Sequence, residues 1–252
     1  MTSADILGGS GSVSSGVQSA IKAILAENAS VLGARTSAST PAGAVNRIQG
    51  RDRYAVAALI ARRVAARPDF GGTVLIASGT GFTDAVSASP LASHAGLPVL
   101  LAGPRGLTAG ELSALRAMKA KKVVIVGGPA SVPAAAVAQA NSVVGKQNVT
   151  RVWGANRYST SSAVAKYGVD KLGLKWQGAG IASGSVFSDS IVGGVLKGKK
   201  GSVLLLTDGR SLSPDTAYAL RKRRVSLRSA DYIGGTGTIS RNVRSQVRAI
   251  LR

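Results

Sequence analysis

Thr73-Val-Leu-Ile-Ala77-Ser-Gly79-Thr-Gly-Phe82-Thr-Asp84 joins a short apolar run to a Ser-Gly turn and then to a helical stretch. An apolar run of that length, bounded by turn residues, reads as a strand buried on both faces. The order returns as Ala179-Gly-Ile-Ala182-Ser-Gly184-Ser-Val-Phe187-Ser-Asp189. Each copy then carries two more such runs, at 98–102 and 123–126 in the first and at 202–207 and 231–233 in the second. Helical stretches separate them, at 55–66 and 160–172 before the first strand and at 107–119 and 212–223 before the third. Strands alternating with helices predict a parallel sheet covered on both faces. The expected fold is α/β: tandem small parallel-sheet sandwiches with helices on both faces, in a pseudo-symmetric repeat arrangement.

The repetition extends outward to the polar motifs. Arg47-Ile-Gln-Gly50-Arg-Asp-Arg53-Tyr54 returns 104 residues on as Arg151-Val-Trp-Gly154-Ala-Asn-Arg157-Tyr158. A Gly-Gly motif occurs three times, as Gly8-Gly9-Ser-Gly-Ser-Val13, Gly127-Gly128-Pro-Ala-Ser-Val132 and Gly234-Gly235-Thr-Gly-Thr-Ile239. The predicted organisation is a truncated end of a first repeat at 1–27, a linker at 28–46, and full repeats at 47–150 and 151–252. The N-terminal piece supplies one strand, Ile6-Leu7, and an apolar stripe of Val13, Val17, Ile21, Ile24 and Leu25 at helical spacing. Alone it has no sheet on which to bury that stripe. It is expected to dock on the body of the chain or to self-associate. A catalytic centre needs one of each group, so duplicated polar motifs point to a repeating ligand or a symmetric scaffold.

The 252 residues include 32 Lys+Arg against 11 Asp+Glu, a formal charge of +21. A field of that sign attracts polyanions: nucleic acid, anionic lipid or an anionic cell-surface polymer. The positive charge concentrates at the end of the chain, where 219–252 hold Asp231 as their one acid. At 45% hydrophobic residues the chain reads as a folded protein, not a basic tail. No apolar run approaches the roughly 18 residues of a membrane span, so membrane insertion is not expected. Met1-Thr-Ser-Ala-Asp5 lacks the charged and apolar regions of a signal peptide. The lack of cysteine excludes disulfides and thiolate metal sites, and one His excludes multi-His sites. Neither a metal nor a cofactor is expected.

The Arg-x-x-Gly-x-x-Arg-Tyr box, Ala-Ser-Gly-x-x-Phe-x-Asp-Ala, Leu-Pro-Val-Leu-Leu and Val-Gly-Gly-x-x-Ser-Val, in this order and spacing, resemble the cell wall binding repeat 2 family. Its repeats stand in tandem, typically as three, in surface proteins of Gram-positive bacteria. The resemblance spans essentially the whole chain. It implies a non-enzymatic module, located outside the cell and anchored non-covalently to an anionic wall polymer such as a teichoic acid or a secondary polysaccharide. The second full copy departs from the pattern at Asp189-Ser190 and at Gly201-Ser-Val-Leu-Leu205, and the first repeat lacks everything before its last strand.

Candidate polymer-binding residues follow the repeated boxes: Arg47, Arg53 and Tyr54, with Arg151, Arg157 and Tyr158. Arginine forks match phosphate and carboxylate oxygens, and tyrosine offers a flat face and a hydroxyl. The alternative is structural, with Arg47, Arg151 and Tyr54 tying neighbouring units together through carbonyls. Ser78, Gly79, Ser183 and Gly184 lie at the carboxyl end of a strand before a helix, where open α/β sheets hold ligands and helix N-termini favour anions. Asp84 and Asp189 read as helix caps. Arg105 and Arg210 complete the set. On the last helix Arg241, Arg244 and Arg248, with Arg252, share one face, which is either a polyanion track or simply exposed.

Other motifs are dismissed. Gly193-Gly-Val-Leu-Lys-Gly198-Lys-Lys ends in Lys where a phosphate-binding loop needs Ser or Thr, and a helix precedes it. Ser78, Asp84 and His94 make no triad, because the repeat-equivalent of His94 is Lys199. Two rival readings stay open. A nucleic-acid binder would find few stacking platforms in a chain with 4% aromatics. A structural surface-layer unit would bind no glycan at all. A glycosidase would need paired acids, and the acids that repeat are single Asp residues per unit.

Overall fold

The computed structural model describes residues 3–31 and 44–252. Most of the linker expected at 28–46 lies outside the described residues. Among the described residues three parallel sheets follow one another along the chain. The first joins β1 (Ser3–Leu7) to β2 (Ala44–Ile48), with α1 (Ser15–Val31) between them in sequence. The second has the order β4-β3-β5-β6, from β3 (Thr73–Ser78), β4 (Val99–Ala102), β5 (Lys122–Val126) and β6 (Val149–Val152). The third, β8-β7-β9, uses β7 (Lys175–Ser183), β8 (Ser202–Thr207) and β9 (Ala230–Ile233). Equivalent strands hold equivalent places, with β3 and β7 central in each sheet. This is the α/β architecture that the alternating pattern predicts.

The helices are α2 (Arg53–Ala65), α3 (Thr83–Ala95), α4 (Ala109–Ala117), α5 (Ala134–Val144), α6 (Arg157–Leu172), α7 (Phe187–Lys199), α8 (Pro214–Lys222) and α9 (Arg241–Leu251). Caps set where two of them begin. The Asp52 carboxylate accepts from the Ala55 backbone N–H at 2.8 Å, so α2 starts at Arg53. The Asn156 side chain accepts from the N–H groups of Tyr158 and Ser159 and starts α6 at Arg157.

Strand side chains alternate between two packed layers. Val74 and Ile76 face Ala58, Ala61, Leu115 and Ala136 on α2, α4 and α5. Leu75, between them, faces the opposite layer with Leu91 of α3. That second layer does not stop at the end of the unit. Leu75, Leu91 and Val126 share one core with Val164 of α6 and with Ile181 and Leu205 of the next sheet.

Helices α3 and α7, equivalent in the two copies, pack directly on each other. A Cβ at Gly198 would stand 2.5 Å from the Pro90 carbonyl oxygen, and one at Gly194 would overlap the Ser89 hydroxyl. Glycine is needed at both places so that the backbones can approach. Ser93 Oγ donates to the Val195 carbonyl at 2.9 Å across the same seam. The stretch that half-resembles a phosphate loop is therefore a helix–helix contact.

Sheets and sequence period are offset. β6 pairs with β5 in the register Val123↔Val149, so Arg151 belongs to the sheet of the unit that precedes it. β2 pairs likewise with β1, and Arg47 sits opposite Ile6. Each Arg box thus bridges two units: its first arginine closes one sheet, and its second opens the helix of the next. The N-terminal piece is docked through this strand pairing and through Asp5, which meets Arg63 of α2 at 3.0 Å. Ile6 and Leu25 are buried there, while Leu7, Val17 and Ile24 stay exposed.

Candidate functional site

The three Gly-Gly turns have one geometry. The carbonyl of Gly9 accepts from the N–H groups of Ser12 and Val13, that of Gly128 from Ser131 and Val132, and that of Gly235 from Thr238 and Ile239. The first glycine of each has φ of +115°, +123° or +110°, a left-handed conformation that a side chain would strain.

An arginine holds each turn. Arg47 donates through NH1 to the Gly8 carbonyl at 2.9 Å, and its Nε and NH2 reach Gln18 Oε1. Arg151 donates to the carbonyls of Gly127 and Val132 at 2.8 and 2.9 Å. Arg244 does the same for the third turn, donating to Ile239 and Gly234 at 3.0 and 2.9 Å while its guanidinium lies over the Tyr232 ring. Burial lowers the Arg151 pKa, yet two carbonyls satisfy its fork. These three arginines are structural ties within their own units.

The second arginines of the boxes are placed differently. Arg53 and Arg157 are exposed and each gives one NH1 bond, to Gly79 at 2.9 Å and to Gly184 at 2.8 Å. Tyr54 and Tyr158 cover those same glycines, where a Cβ would strike their rings. Ser78 and Ser183 are buried beneath and spend their hydroxyls on the backbone N–H groups of Thr80 and Ser185. The Ser-Gly turns are thus occupied by their own tyrosines, not open to a ligand.

Asp84 is not the cap of α3. Phe82 holds the cap position, and the Asp84 carboxylate reaches across to the second Gly-Gly turn, where it fills the place a Gly127 side chain would take. Burial pushes its pKa up; a hydrogen bond with Ser131 and the charge of Arg157 pull the other way. Asp189 repeats the contact in the next unit, accepting from Thr238 Oγ1 at 3.4 Å.

Two equivalent grooves result at the unit junctions. The first, about 500 Å³, lies between the Gly8-Gly9 turn and Arg51, Asp52 and Arg53. The second, about 290 Å³, lies between the Gly128 turn with Asp84 and the Asn156-Arg157 start of α6. Arg105 and Arg210 are exposed on the loops after β4 and β8, outside both grooves. Arg241 and Arg248 are exposed on α9, so the basic stripe divides: Arg244 between them is tied inward. A further cleft of about 610 Å³ between α8 and α9 is lined by Arg221, Arg224 and Gln246. Sequence reading missed Trp153, which borders the second groove and is 48% exposed. Its one sequence signal is position, inside the repeated box where the other copy has Gln49. No group of acids and His suited to a metal ion occurs among the described residues, and no described helix is long and apolar enough to cross a membrane.

Known proteins share the fold and the sequence pattern. The chain is 30% identical over 199 residues to the N-acetylmuramoyl-L-alanine amidase LytC of Bacillus subtilis (strain 168), covering 79% of this chain and 38% of that protein. It is 28% identical over 205 residues to the amidase enhancer of the same organism, covering 81% of this chain and 26% of that protein. It therefore spans well under half the length of these curated relatives. Among solved structures, Cwp8 from Clostridium difficile superposes with a TM-score of 0.76 at 23% identity, over 99% of this chain and 38% of that one. Cwp6 from the same organism gives 0.69 at 28% identity, over 81% and 31%. The family model for Cell wall binding domain 2 (CWB2) matches residues 47–137 and 151–244, so two copies of its pattern fill most of the chain. With its paired units, Gly-Gly turns and bridging Arg boxes, the chain belongs to the cell wall binding domain 2 family.

Proposed function

We propose that this chain is a non-covalent cell-wall anchor. It grips an anionic wall polymer, a teichoic acid or a secondary polysaccharide, outside the cell and leaves it chemically unchanged. The observation that carries the reading is the repetition of the groove: Arg53 and Arg157 stand at equivalent places beside equivalent Gly-Gly turns. Two clefts on one body, each with an exposed arginine, suit a ligand that itself repeats, because binding at one raises the effective concentration at the other. The charge of +21 draws such a polymer in. Asp84 and Asp189 each face their own turn, one carboxylate per unit, which supports binding over glycosidic cleavage. Arg105, Arg210, Arg241 and Arg248 extend the basic surface beyond the grooves. Self-association through the N-terminal unit is part of the reading, carried by exposed Leu7, Val17 and Ile24 and checked by light scattering.

The test is retention on isolated walls that keep their anionic polymers. We expect elution by salt, no release of sugar or peptide, and loss of retention in the Arg53→Ala/Arg157→Ala double variant with its circular dichroism unchanged. Undiminished binding to walls stripped of those polymers would sink the reading. The Arg221–Arg224 cleft favours a second reading, nucleic-acid binding, so duplex DNA at equal salt is the competitor. Tighter binding to DNA would replace the first reading with the second.

A further inference from the structure

The two junction grooves differ at several positions, Arg51 against Ala155 and Asp52 against Asn156 among them, and most in the residue before the glycine of the box. Trp153 follows β6 and lies over the second Gly-Gly turn, with Cε3, Cζ3 and Cδ2 of its ring 2.8–3.5 Å from where a Gly128 Cβ would be. The ring has no room to swing inward, and the glycine lets it lie against the turn. In the first junction the equivalent residue is Gln49, whose Oε1 stands 3.7 Å from the corresponding place on Gly9. One groove thus has a fixed aromatic face where the other has an amide. The other tryptophan, Trp176, is 6% exposed and belongs to the core. Trp153 leaves nearly half its surface in water, which a buttressed indole does at a cost.

The surroundings match a ring-shaped polar ligand. Trp153 divides two cavities, the groove of about 290 Å³ with Asp84, Asn156 and Arg157, and an outer hollow of about 390 Å³ with Lys166 and Asp170. An indole face is electron-rich and attracts the polarised C–H groups of a pyranose, while the exposed Arg157 guanidinium beside it, with one bond spent on Gly184, can donate to the ring hydroxyls. A tetrahedral phosphate has no such C–H face to offer.

We propose that Trp153 is a stacking platform for a pyranose ring of the polymer, so that the second junction reads sugar while the first reads charge. This rests on the anchoring role proposed above. It narrows the ligand class to an anionic polymer that carries sugar rings in its backbone or as substituents.

The experiment uses the full chain on isolated Gram-positive walls, comparing wild type with Trp153→Phe and Trp153→Gln, the latter copying the first junction. Competitors are unsubstituted poly(glycerol phosphate) and the same polymer bearing glucosyl substituents. We expect Trp153→Gln to weaken retention roughly fivefold to tenfold, Trp153→Phe to restore most of it, and the glucosylated polymer to compete better by a similar factor. Iodide quenching of the exposed tryptophan should fall when wild type binds. Retention of Trp153→Gln equal to wild type, or equal competition by the two polymers, overturns the stacking role while leaving the anchor intact. If the Arg53→Ala/Arg157→Ala variant is also retained like wild type, the anchoring role fails first.

Discussion

Arg244 holds the carbonyl of Gly234 at 2.9 Å as Arg151 holds that of Gly127 at 2.8 Å, although one comes from a helix and the other from a strand. The helix position ten residues after the first glycine is Gln18 in α1, Val137 in α5 and Arg244 in α9. Where a strand brings an arginine to the turn, that helix position accepts from it or stays apolar. Beside β9 no such strand stands among the described residues, and the helix supplies the arginine itself. Replacing Arg151 or Arg244 with Ala should cost about 2 kcal/mol in urea denaturation, since charged donors leave two carbonyls behind. Arg244→Lys should recover little, because an ammonium cannot span Ile239 and Gly234 together. Unchanged midpoints would show that water serves the turn equally well.

Gly127 is the first glycine of its motif and Gly235 the second of an equivalent one, and they answer to different constraints. A Cβ at Gly127 meets the Asp84 carboxylate and a φ of +123°, whereas nothing lies within 4 Å of one at Gly235. Gly127→Ala is expected to lose more than about 1 kcal/mol, and Gly235→Ala to be close to neutral. Thermal melts of the pair decide it: equal losses would mean that the turn, not the carboxylate, demands glycine.

Gly198→Ala tests the α3–α7 seam. The added methyl has the Pro90 carbonyl oxygen at 2.5 Å and no free volume, so overpacking should cost roughly 1–3 kcal/mol. Gly237→Ala, with nothing within 4 Å, is the matched control. Equal denaturation curves for the two would mean that the helices slide apart without penalty.

Asp84 gives the stability a pH dependence of definite sign. Its native pKa is raised above the ordinary 3.8, mainly by burial, so the native state keeps its proton after the unfolded chain has lost it. Stability contributed by this residue therefore falls as pH rises from about 3.8 through the native value. Asp84→Asn removes that slope, and its stability relative to wild type should climb with pH across the window and then level off. Parallel pH profiles for the two proteins would contradict this. Glu111, also raised by burial, titrates in both and cancels in the comparison.

Continuous apolar strands were the legible part of the fold. Val74 to Ala77 and Val203 to Leu206 are buried on both faces, and an unbroken apolar run is the direct imprint of that. β2 and β6 left no such imprint, because Asn46 and Thr150 are exposed and Arg47 and Arg151 half-buried. Helix starts shifted by a few residues for a similar reason: Asp52 and Asn156 recruit polar residues into the first turn, ahead of the apolar period. The Arg boxes were legible as motifs but not as roles. Only the strand–helix break inside each box separates Arg151, facing its turn, from Arg157, facing the groove. Asp84 reads as a cap from its spacing, and its reach across to Gly127 depends on a contact 43 residues away. Trp153 could be singled out only once Gly128 was seen beneath it.

The seam between α3 and α7 fixes more than stability. Both grooves have the middle unit as one wall, and the third unit is locked to it with no space for a methyl group. The span between the two clefts is thus a property of the fold, where a tethered pair of domains would let it vary. Such an arrangement works as a ruler. Under the anchoring role proposed above, polymers with the same charges and sugars but a different pitch would meet one cleft and miss the other, a discrimination by interval alone.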